Sequence, residues 1–274
     1  MNMVLGEKCF TDYIELIHDL TGITIGKNRN SLVESRLRKR IMTLNLNSYE
    51  SYFKRVKEDK SEQVKFVDLV TTNETYFYRT PRIWDYIENK FLPDWFEKNP
   101  NTLFTAWSAA ASSGEEAHTL GIICEAFKKK HPTFAYQIIG TDISKEMVGL
   151  CQLGEYSGRS IDSFKKNRPE LFEKFMCQTN SESFKASAEI KNRLRFQQHN
   201  LFHPFLHKDK FHLVLIRNVL IYFTSTDQER VISLISPKLT DDGVMIIGES
   251  ESLTHINTNF RSVEPLIYKK KVSL

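Results

Sequence analysis

The sequence predicts an α/β fold, in which a doubly wound and mainly parallel sheet follows a small all-helical N-terminal domain. From residue 104 onward, short apolar runs alternate with helical runs, which is typical of strands and helices wound around one sheet. One run, FHLVLI at residues 211–216, is almost wholly apolar, as expected of a parallel strand covered on both faces. The chain has 274 residues, which is enough for two such units.

Composition sets the broad class of the protein. Hydrophobic residues make up 41% and charged residues 26%, and the net charge of +4 is mild, as in an ordinary globular protein. No apolar run reaches the roughly 18 residues that span a bilayer, so we expect no membrane insertion. The N-terminus MNMVLGEKCF lacks the apolar core of a signal peptide, which predicts a cytoplasmic location. The four cysteines lie far apart without a Cys-x-x-Cys pair, so we expect reduced thiols and neither a zinc cluster nor disulfides.

The segment before residue 71 has apolar residues at helical spacing, and no strand-like run interrupts it. Gly22 is expected to end the first helix, because glycine commonly follows a helix C-terminus. The pattern predicts four helices, over residues 10–20, 31–44, 49–58 and 63–70.

The second of these helices has a basic flank formed by Arg36, Lys39 and Arg40. Such a flank either docks on an acidic partner or is simply a solvated surface, and the solvated surface is the more common of the two.

A polar segment from Asn73 to Arg79 separates the helical domain from the rest of the chain. Thr80 and Pro81 are the residue types favoured at the N-cap and first position of a helix, so we expect a helix there that continues through Phe91. The density of hydrogen-bonding side chains favours a binding segment, and a capped interdomain loop is the alternative.

A short apolar run at 103–107 leads into small residues at 109–114 and then into a helix over Glu115–Lys130. Small residues let the backbone approach a ligand closely, and the start of a helix offers free N–H groups. The carboxylates of Glu115 and Glu116 suit a cation and repel a pyrophosphate. The turn therefore predicts an adenosine compound without phosphates and with a positive group, or else a tight turn without a ligand.

Asp142 follows the second predicted strand, at 136–140. An acid in this place binds ribose hydroxyls in doubly wound folds, although an aspartate is also common in plain turns.

The pattern loosens after residue 156, where we expect an insertion with a short helix over 170–176 and small strands over 184–190. The strand at 194–197 returns to the sheet. Ser225 with Gln228, or Thr226 with Glu229, predicts a capped helix through residue 239, and 241–243 is expected to be a turn. Further strands are predicted at 244–247 and 260–268. The rim of such a sheet would bring together Asn73, Gly114, Asp142, Asn200 and Asn218.

These motifs, in this order and spacing, resemble the chemotaxis-receptor glutamate O-methyltransferases, the CheR family of S-adenosylmethionine-dependent enzymes. The resemblance covers nearly the whole chain. The segments that carry it are TTNETYFYR, WSAAASSGEE, GTDIS, Asn200-Leu201, RNVLIYF and GESESL.

The resemblance implies a Rossmann-like class I methyltransferase that makes glutamate methyl esters and S-adenosyl-L-homocysteine. It implies a helical domain at 1–72, a linker and helix at 73–92, and a catalytic domain at 93–274 with a small β-subdomain inserted at about 156–193. The partners it implies are the cytoplasmic methylation helices of chemotaxis receptors, which would dock on Arg36, Lys39 and Arg40, and the protein would be a monomer. It assigns S-adenosyl-L-methionine contacts to Asn73, Thr75, Arg79, Ala110, Glu116, Asp142, Asn200, Leu201, Arg217 and Asn218, and a place at the reaction centre to Arg79 and Tyr222.

The chain departs from the family pattern in several places. Ile216 and Thr224 stand where the family often has Cys and Asp, and Ala117-His118 replaces Pro-Tyr. Relatives that dock on a receptor's C-terminal peptide have glycine in a loop of the β-subdomain. Residues 177–184 contain none, so that docking mode is not expected here.

Two other functions would share much of this pattern. A methyltransferase acting on nucleic acid or a small molecule would use the same cofactor residues, but the resemblance over the whole chain favours a protein acceptor and no nucleic acid. A non-catalytic adaptor would be expected to have lost Glu116, Arg79 or Tyr222, and all three are present.

Overall fold

A computed structural model describes residues 3–271 of the chain. The α-helices are α1 Glu7–Thr21, α2 Asn30–Thr43, α3 Tyr49–Glu58, α4 Lys60–Val70, α5 Pro81–Tyr86, α6 Leu92–Lys98, α7 Glu115–Lys130, α8 Lys145–Leu153, α9 Arg159–Asn167, α10 Pro169–Phe175, α11 Ala188–Lys191 and α12 Ser225–Ile235. The strands are β1 Phe104–Ser108, β2 Tyr136–Asp142, β3 Glu155–Ser157, β4 Met176–Gln178, β5 Ser183–Ala186, β6 Leu194–Gln198, β7 Phe211–Ile216, β8 Leu239–Ile247, β9 Phe260–Glu264 and β10 Ile267–Lys270. A π-helical turn, Ile87–Phe91, joins α5 to α6.

The main sheet has seven strands in the order β6-β2-β1-β7-β8-β10-β9. The strands from β6 to β8 are parallel, whereas β10 pairs antiparallel with both β8 and β9. Alternate residues of β7 belong to two separate apolar clusters, Leu213 to one and Val214 to the other. The sheet is therefore covered on both faces, which confirms the predicted fold class. The winding direction reverses between β1 and β7, because β2 and β6 lie on one side of β1 and β7 and β8 lie on the other. Ligands of such sheets bind beyond the carboxyl ends of the strands at this point.

Helices α1 to α4 pack around a third apolar cluster, which includes Tyr13, Leu37 and Phe66. Helix α4 begins three residues earlier than the apolar pattern predicts, because the carboxylate of Asp59 accepts the N–H groups of Ser61 and Glu62. The all-helical character expected of the N-terminal domain is confirmed.

The insertion contains a three-stranded antiparallel sheet in the order β3-β5-β4. Helix α9 was not predicted, because Ile161 and Phe164 are its only buried residues and a helical period cannot be recognised from two positions. Residues 188–190, which were expected to be extended, belong to helix α11.

Two predicted helix caps are wrong. Thr80 takes a left-handed backbone conformation (φ 65°) and makes no side-chain cap, because its hydroxyl donates to Glu249 instead. The cap of α12 is Thr224, one residue before Ser225, the nearer of the two predicted candidates. Its hydroxyl oxygen accepts the N–H of Asp227.

The C-terminal region also differs from the prediction. Helix α12 ends at Ile235, and strand β8 runs through residues 241–243, which were expected to be a turn. The pairing of β7 with β8 shifts between Phe211 and Leu213, so the extra residues of β8 are accommodated in an irregular stretch. The single strand predicted at 260–268 is the hairpin of β9 and β10, which turns at Leu266 (φ 70°).

Candidate functional site

A cavity of about 920 Å³, measured out to open solvent, lies at the carboxyl ends of β1, β2 and β7. Every residue assigned to the cofactor or the reaction centre from the sequence lines it: Asn73, Thr75, Arg79, Ala110, Glu116, Asp142, Asn200, Leu201, Arg217, Asn218 and Tyr222.

Asp142 lies at the end of β2, and its side chain is fixed by two backbone donors. One carboxylate oxygen accepts the N–H of Ser144 at 2.9 Å, and the other accepts the N–H of Ser112 at 2.8 Å. Burial raises the pKa of Asp142, and these two N–H groups oppose that rise. Each carboxylate oxygen keeps a further lone pair, so the group is able to accept two neighbouring hydroxyls.

Glu116 and Arg217 form a buried ion pair beside the cavity, with Nη1 and Oε2 2.9 Å apart. Ser108 donates to the other oxygen of Glu116 at 2.7 Å, while Nη2 of Arg217 donates to the backbone carbonyl of Arg79 at 2.7 Å. The guanidinium also lies over the ring of Trp84, and its Nε is buried without a partner among the described residues. The pair joins the start of α7, the end of β7 and the linker into one wall.

The two carboxylates at the start of α7 do not act together. Glu115 is 3% exposed, lies outside the cavity lining, and accepts hydrogen bonds from Ser113 and Ser160. Successive helical residues point about 100° apart, so only Glu116 faces the cavity. The attraction for a cation that the sequence suggested is also weaker than expected, because Arg217 compensates the charge of Glu116.

Gly114 was expected at the rim and is not part of the cavity lining. It has φ of 101°, and a Cβ there would lie 2.8 Å from the hydroxyl of Tyr156 and 3.1 Å from the sulfur of Cys151. Glycine is therefore needed at this position so that the turn can pack closely against the insertion and α8. Ser112, with φ of 50°, is the turn residue that points its N–H at Asp142.

The linker is held in place from both ends. The hydroxyl of Ser112 donates to the backbone carbonyl of Asn73 at 2.9 Å. Phe77 is fully buried, and Arg79 extends back to donate to the carbonyl of Glu74 at 3.1 Å while its guanidinium lies over the ring of Tyr76. Arg79 is thus the cation of this segment that lines the cavity.

The N-terminal domain also forms part of the cavity, which the sequence did not predict. Thr21, the last residue of α1, and Ile23, just after that helix, line it. The amide of Asn200 donates to the carbonyl of Leu20 at 3.0 Å, and the N–H of Thr24 donates to the carbonyl of Tyr222 at 2.8 Å. Gly22 marks this contact, because a Cβ at that position would clash with the ring of Phe202. A single sequence does not show which distant residue a glycine approaches, so the contact could not be predicted.

A further unpredicted residue of the lining is His199, beside Asn200. Burial, with a smaller effect from His203, lowers the pKa of His199 to about 4. The imidazole is therefore neutral at pH 7 and does not repel a cationic ligand.

The basic flank of α2 lies outside the cavity lining, and its three residues differ in their surroundings. Arg40 makes a bidentate pair with buried Glu62, at 2.9 and 2.6 Å. Arg36 donates to the carbonyl of Val70 and, at 2.6 Å, to the hydroxyl of Thr72, so it holds the start of the linker. Lys39 is exposed.

Two family models match the chain. The CheR methyltransferase all-alpha domain matches residues 9–71, and the CheR methyltransferase SAM-binding domain matches residues 73–268. Chemotaxis protein methyltransferase Cher2 of Pseudomonas putida is 28% identical over 98% of this chain and 100% of its own length. The chemotaxis protein methyltransferase of Borreliella burgdorferi is 28% identical, over 94% of this chain and 92% of its own length.

Among solved structures, the glycopeptide N-methyltransferase MtfA in complex with S-adenosylmethionine matches 65% of this chain and 57% of its own, with 12% identity and a TM-score of 0.34. Within residues 3–271, no helix is long and apolar enough to cross a membrane. The same residues contain no group of three or more His, Cys, Asp or Glu side chains placed to hold a metal ion.

Proposed function

The chain belongs to the CheR methyltransferase family, S-adenosylmethionine-dependent enzymes of chemotaxis, and from that premise we propose that its acceptors are glutamate side chains of chemotaxis receptors. The products would be glutamate methyl esters and S-adenosyl-L-homocysteine. The observation that carries the proposal is the position of Arg79 and Tyr222, which line the same cavity as Asp142 and the Glu116–Arg217 pair.

The residues present fit S-adenosylmethionine. Asp142 has free acceptor capacity for the two ribose hydroxyls. Glu116 and Arg217 offer both signs of charge, which suits the amino and carboxylate groups of the methionyl end, and Arg217 keeps a buried Nε without a partner among the described residues. Ala110 leaves room for the backbone of the turn to approach.

When bound, S-adenosylmethionine supplies a sulfonium methyl group that an ionised carboxylate attacks in line. A glutamate carboxylate is already ionised at neutral pH, with a reference pKa of about 4.3, so the chain need not supply a general base. Its task is to orient the acceptor and to exclude water. Arg79 and Tyr222 are suited to orienting a carboxylate, the first by charge and the second by a hydroxyl.

Arg79 is positioned without being neutralised. Its contact with Glu74 is to a backbone carbonyl, and its contact with Tyr76 is to the face of a ring. The guanidinium therefore keeps its charge for an incoming carboxylate. A stronger clamp would stabilise the ground state more than the transition state, in which the opposite charges are being neutralised.

For docking of the acidic methylation helices we propose the α2 flank of Arg36, Lys39 and Arg40. Lys39 is the exposed member, whereas Arg36 and Arg40 also hold the linker and Glu62. Lys39→Glu is thus the clean test of docking: the KM for receptor should rise, and more so at low salt, while cofactor affinity stays the same. A double reversal of Arg36 and Arg40 would disturb the fold as well.

The decisive experiment is transfer of tritiated methyl groups from S-adenosylmethionine to purified cytoplasmic fragments of receptors. We expect label that is released by mild base, as a carboxyl methyl ester is. A fragment with glutamine at the methylated positions serves as the matched control and should remain unlabelled. Base-stable label, or labelling of nucleic acid in place of the fragments, would contradict the proposed acceptor.

A further inference from the structure

We propose that Glu251 is a positioning residue for the methyl transfer, because its buried carboxylate fixes the segment 218–222 that brings Asn218 and Tyr222 into the cavity. The inference rests on the proposed function for its acceptor. Glu251 itself lies outside the cavity lining, so it acts through the residues that it holds.

Four backbone N–H groups converge on this one carboxylate. Oε1 accepts from Val219 at 2.8 Å and from Leu220 at 2.7 Å. Oε2 accepts from Asn218 at 2.9 Å and from Gly248 at 2.5 Å. Glu251 is 8% exposed, so water does not compete for these donors. Three of the four donors belong to the segment that follows β7, and that segment is therefore bound to a fixed point on the neighbouring loop.

The local backbone explains why such a point is needed. Asn218 has φ of 59°, a left-handed conformation that few residues other than glycine adopt, although asparagine adopts it more readily than most. The N–H groups at 218–220 stand at the start of a single 3-10 turn, Leu220–Tyr222, and have no helical partner. An ionised carboxylate stabilises both features, because it accepts all three N–H groups at once.

The opposite side of the same segment is held by a second side chain. The amide of Gln228 donates to the carbonyls of Leu220 at 3.0 Å and Phe223 at 3.2 Å. Glu251 thus accepts hydrogen bonds from the N–H groups of the segment, and Gln228 donates hydrogen bonds to its carbonyls. Tyr222 lies between these anchors in the chain, so the backbone that carries this cavity-lining residue is held on both sides.

Gly248 shows how closely the two loops approach. A Cβ at this position would lie 2.7 Å from the backbone nitrogen of Asn218 and 2.7 Å from Oε2 of Glu251. These distances are too short for any side chain. The absence of a side chain at Gly248 is therefore part of the same arrangement.

Glu251→Gln tests the proposal with almost no change in volume. A carboxamide has one acceptor oxygen, and its NH2 group would face two of the four N–H donors, so half of the contacts would become repulsive. We expect kcat to fall by a factor on the order of ten to a hundred, because small misplacements of reacting groups have effects of this size. The KM for receptor should change less than about twofold, since the proposed docking surface on α2 is a separate element.

The matched control is Glu229→Gln, which also removes a carboxylate oxygen that accepts a backbone N–H, that of Asn257 at 2.7 Å, outside the cavity lining. Its kcat should stay at the wild-type value. All three proteins are compared at 10 °C, with circular dichroism showing them folded, so that a mere loss of stability does not lower kcat. Wild-type kcat in folded Glu251→Gln would overturn the proposal.

Two further measurements separate the possible outcomes. If Glu251→Gln does not fold, the test uses Glu251→Asp, which keeps both carboxylate oxygens on a shorter side chain. This variant should show a smaller but clear loss of kcat. An unchanged kcat would then overturn the proposal. If wild-type protein fails to methylate receptor glutamates, the proposed acceptor is wrong, and the effect of Glu251→Gln is read from cofactor affinity, which should weaken because Asn218 lines the cavity.

Discussion

Replacement of Asp142 tests the cofactor site most directly. Asp142→Ala removes the acceptors that we propose for both ribose hydroxyls, and the N–H groups of Ser112 and Ser144 lose their partner. One hydrogen bond to a charged group contributes about 1.5–3 kcal/mol. At about 1.4 kcal/mol per factor of ten, loss of one such bond weakens binding by roughly 10-fold to 140-fold. Water entering the vacated space will favour the lower end of this range.

Asp142→Asn separates charge from volume. The carboxamide keeps the shape of the side chain, but its NH2 group must oppose the N–H of either Ser112 or Ser144. We therefore expect a loss of affinity in this variant as well. Calorimetry with S-adenosylmethionine and S-adenosylhomocysteine should show the same factor for both ligands, because the two share the ribose and differ only at sulfur.

The control for these measurements is Asp85→Ala, which removes an exposed carboxylate on α5 and should leave both affinities unchanged. Unchanged affinity in folded Asp142→Ala would show that this residue does not hold the ribose. A loss for only one of the two ligands would show that the carboxylate acts near the sulfur and not near the hydroxyls.

Four other variants test the core of the N-terminal domain, the pH response and the reaction centre. Arg40→Met should lower the free energy of unfolding by about 2 kcal/mol or more in urea titrations, because it leaves the buried carboxylate of Glu62, 3% exposed, without its cation. Cofactor affinity should stay the same, and an unchanged unfolding midpoint would contradict this reasoning. Burial lowers the pKa of His118 from 6.5 to about 4, so the unfolded chain takes up a proton before the folded chain does. The free energy of unfolding should then fall as the pH drops from about 6.5 to about 4, by up to about 1.4 kcal/mol per pH unit, and His118→Gln should have a shallower pH dependence; equal slopes would refute this. Tyr222→Phe should lower kcat by a factor on the order of ten to a hundred with cofactor affinity nearly unchanged, whereas Arg79→Ala should lower both; near wild-type methylation by Arg79→Ala would exclude its role in orienting the carboxylate.

The parts of the fold that depend on local pattern were predictable from the sequence. The apolar run of β7 and the small residues before α7 identify buried strands and a close turn, and these do not depend on distant residues. The place of Asp142 follows from the same logic, because the carboxyl ends of parallel strands meet at one edge of the sheet.

Features that depend on contacts between distant segments were not predictable. Thr80 is a residue type favoured at helix caps, but its hydroxyl donates a hydrogen bond to Glu249, which is far along the chain. Glu115 and Glu116 look equivalent in sequence, and only the positions of Ser160 and Arg217 decide that the first is structural and the second faces the cavity. Their roles in ligand binding remain predictions for the variants above.

The contribution of the N-terminal domain to the cavity bears on how this protein can be divided. The two family models meet between residues 71 and 73, so a cut at this point looks natural in an alignment. Such a cut would keep every strand of the sheet, yet it would remove Thr21 and Ile23 from the lining and the N–H of Thr24 from Tyr222. Residues 73–271 alone would then carry an incomplete pocket open to water. We therefore expect that residues 73–271, moved alone by gene fusion or domain shuffling, would not transfer the activity.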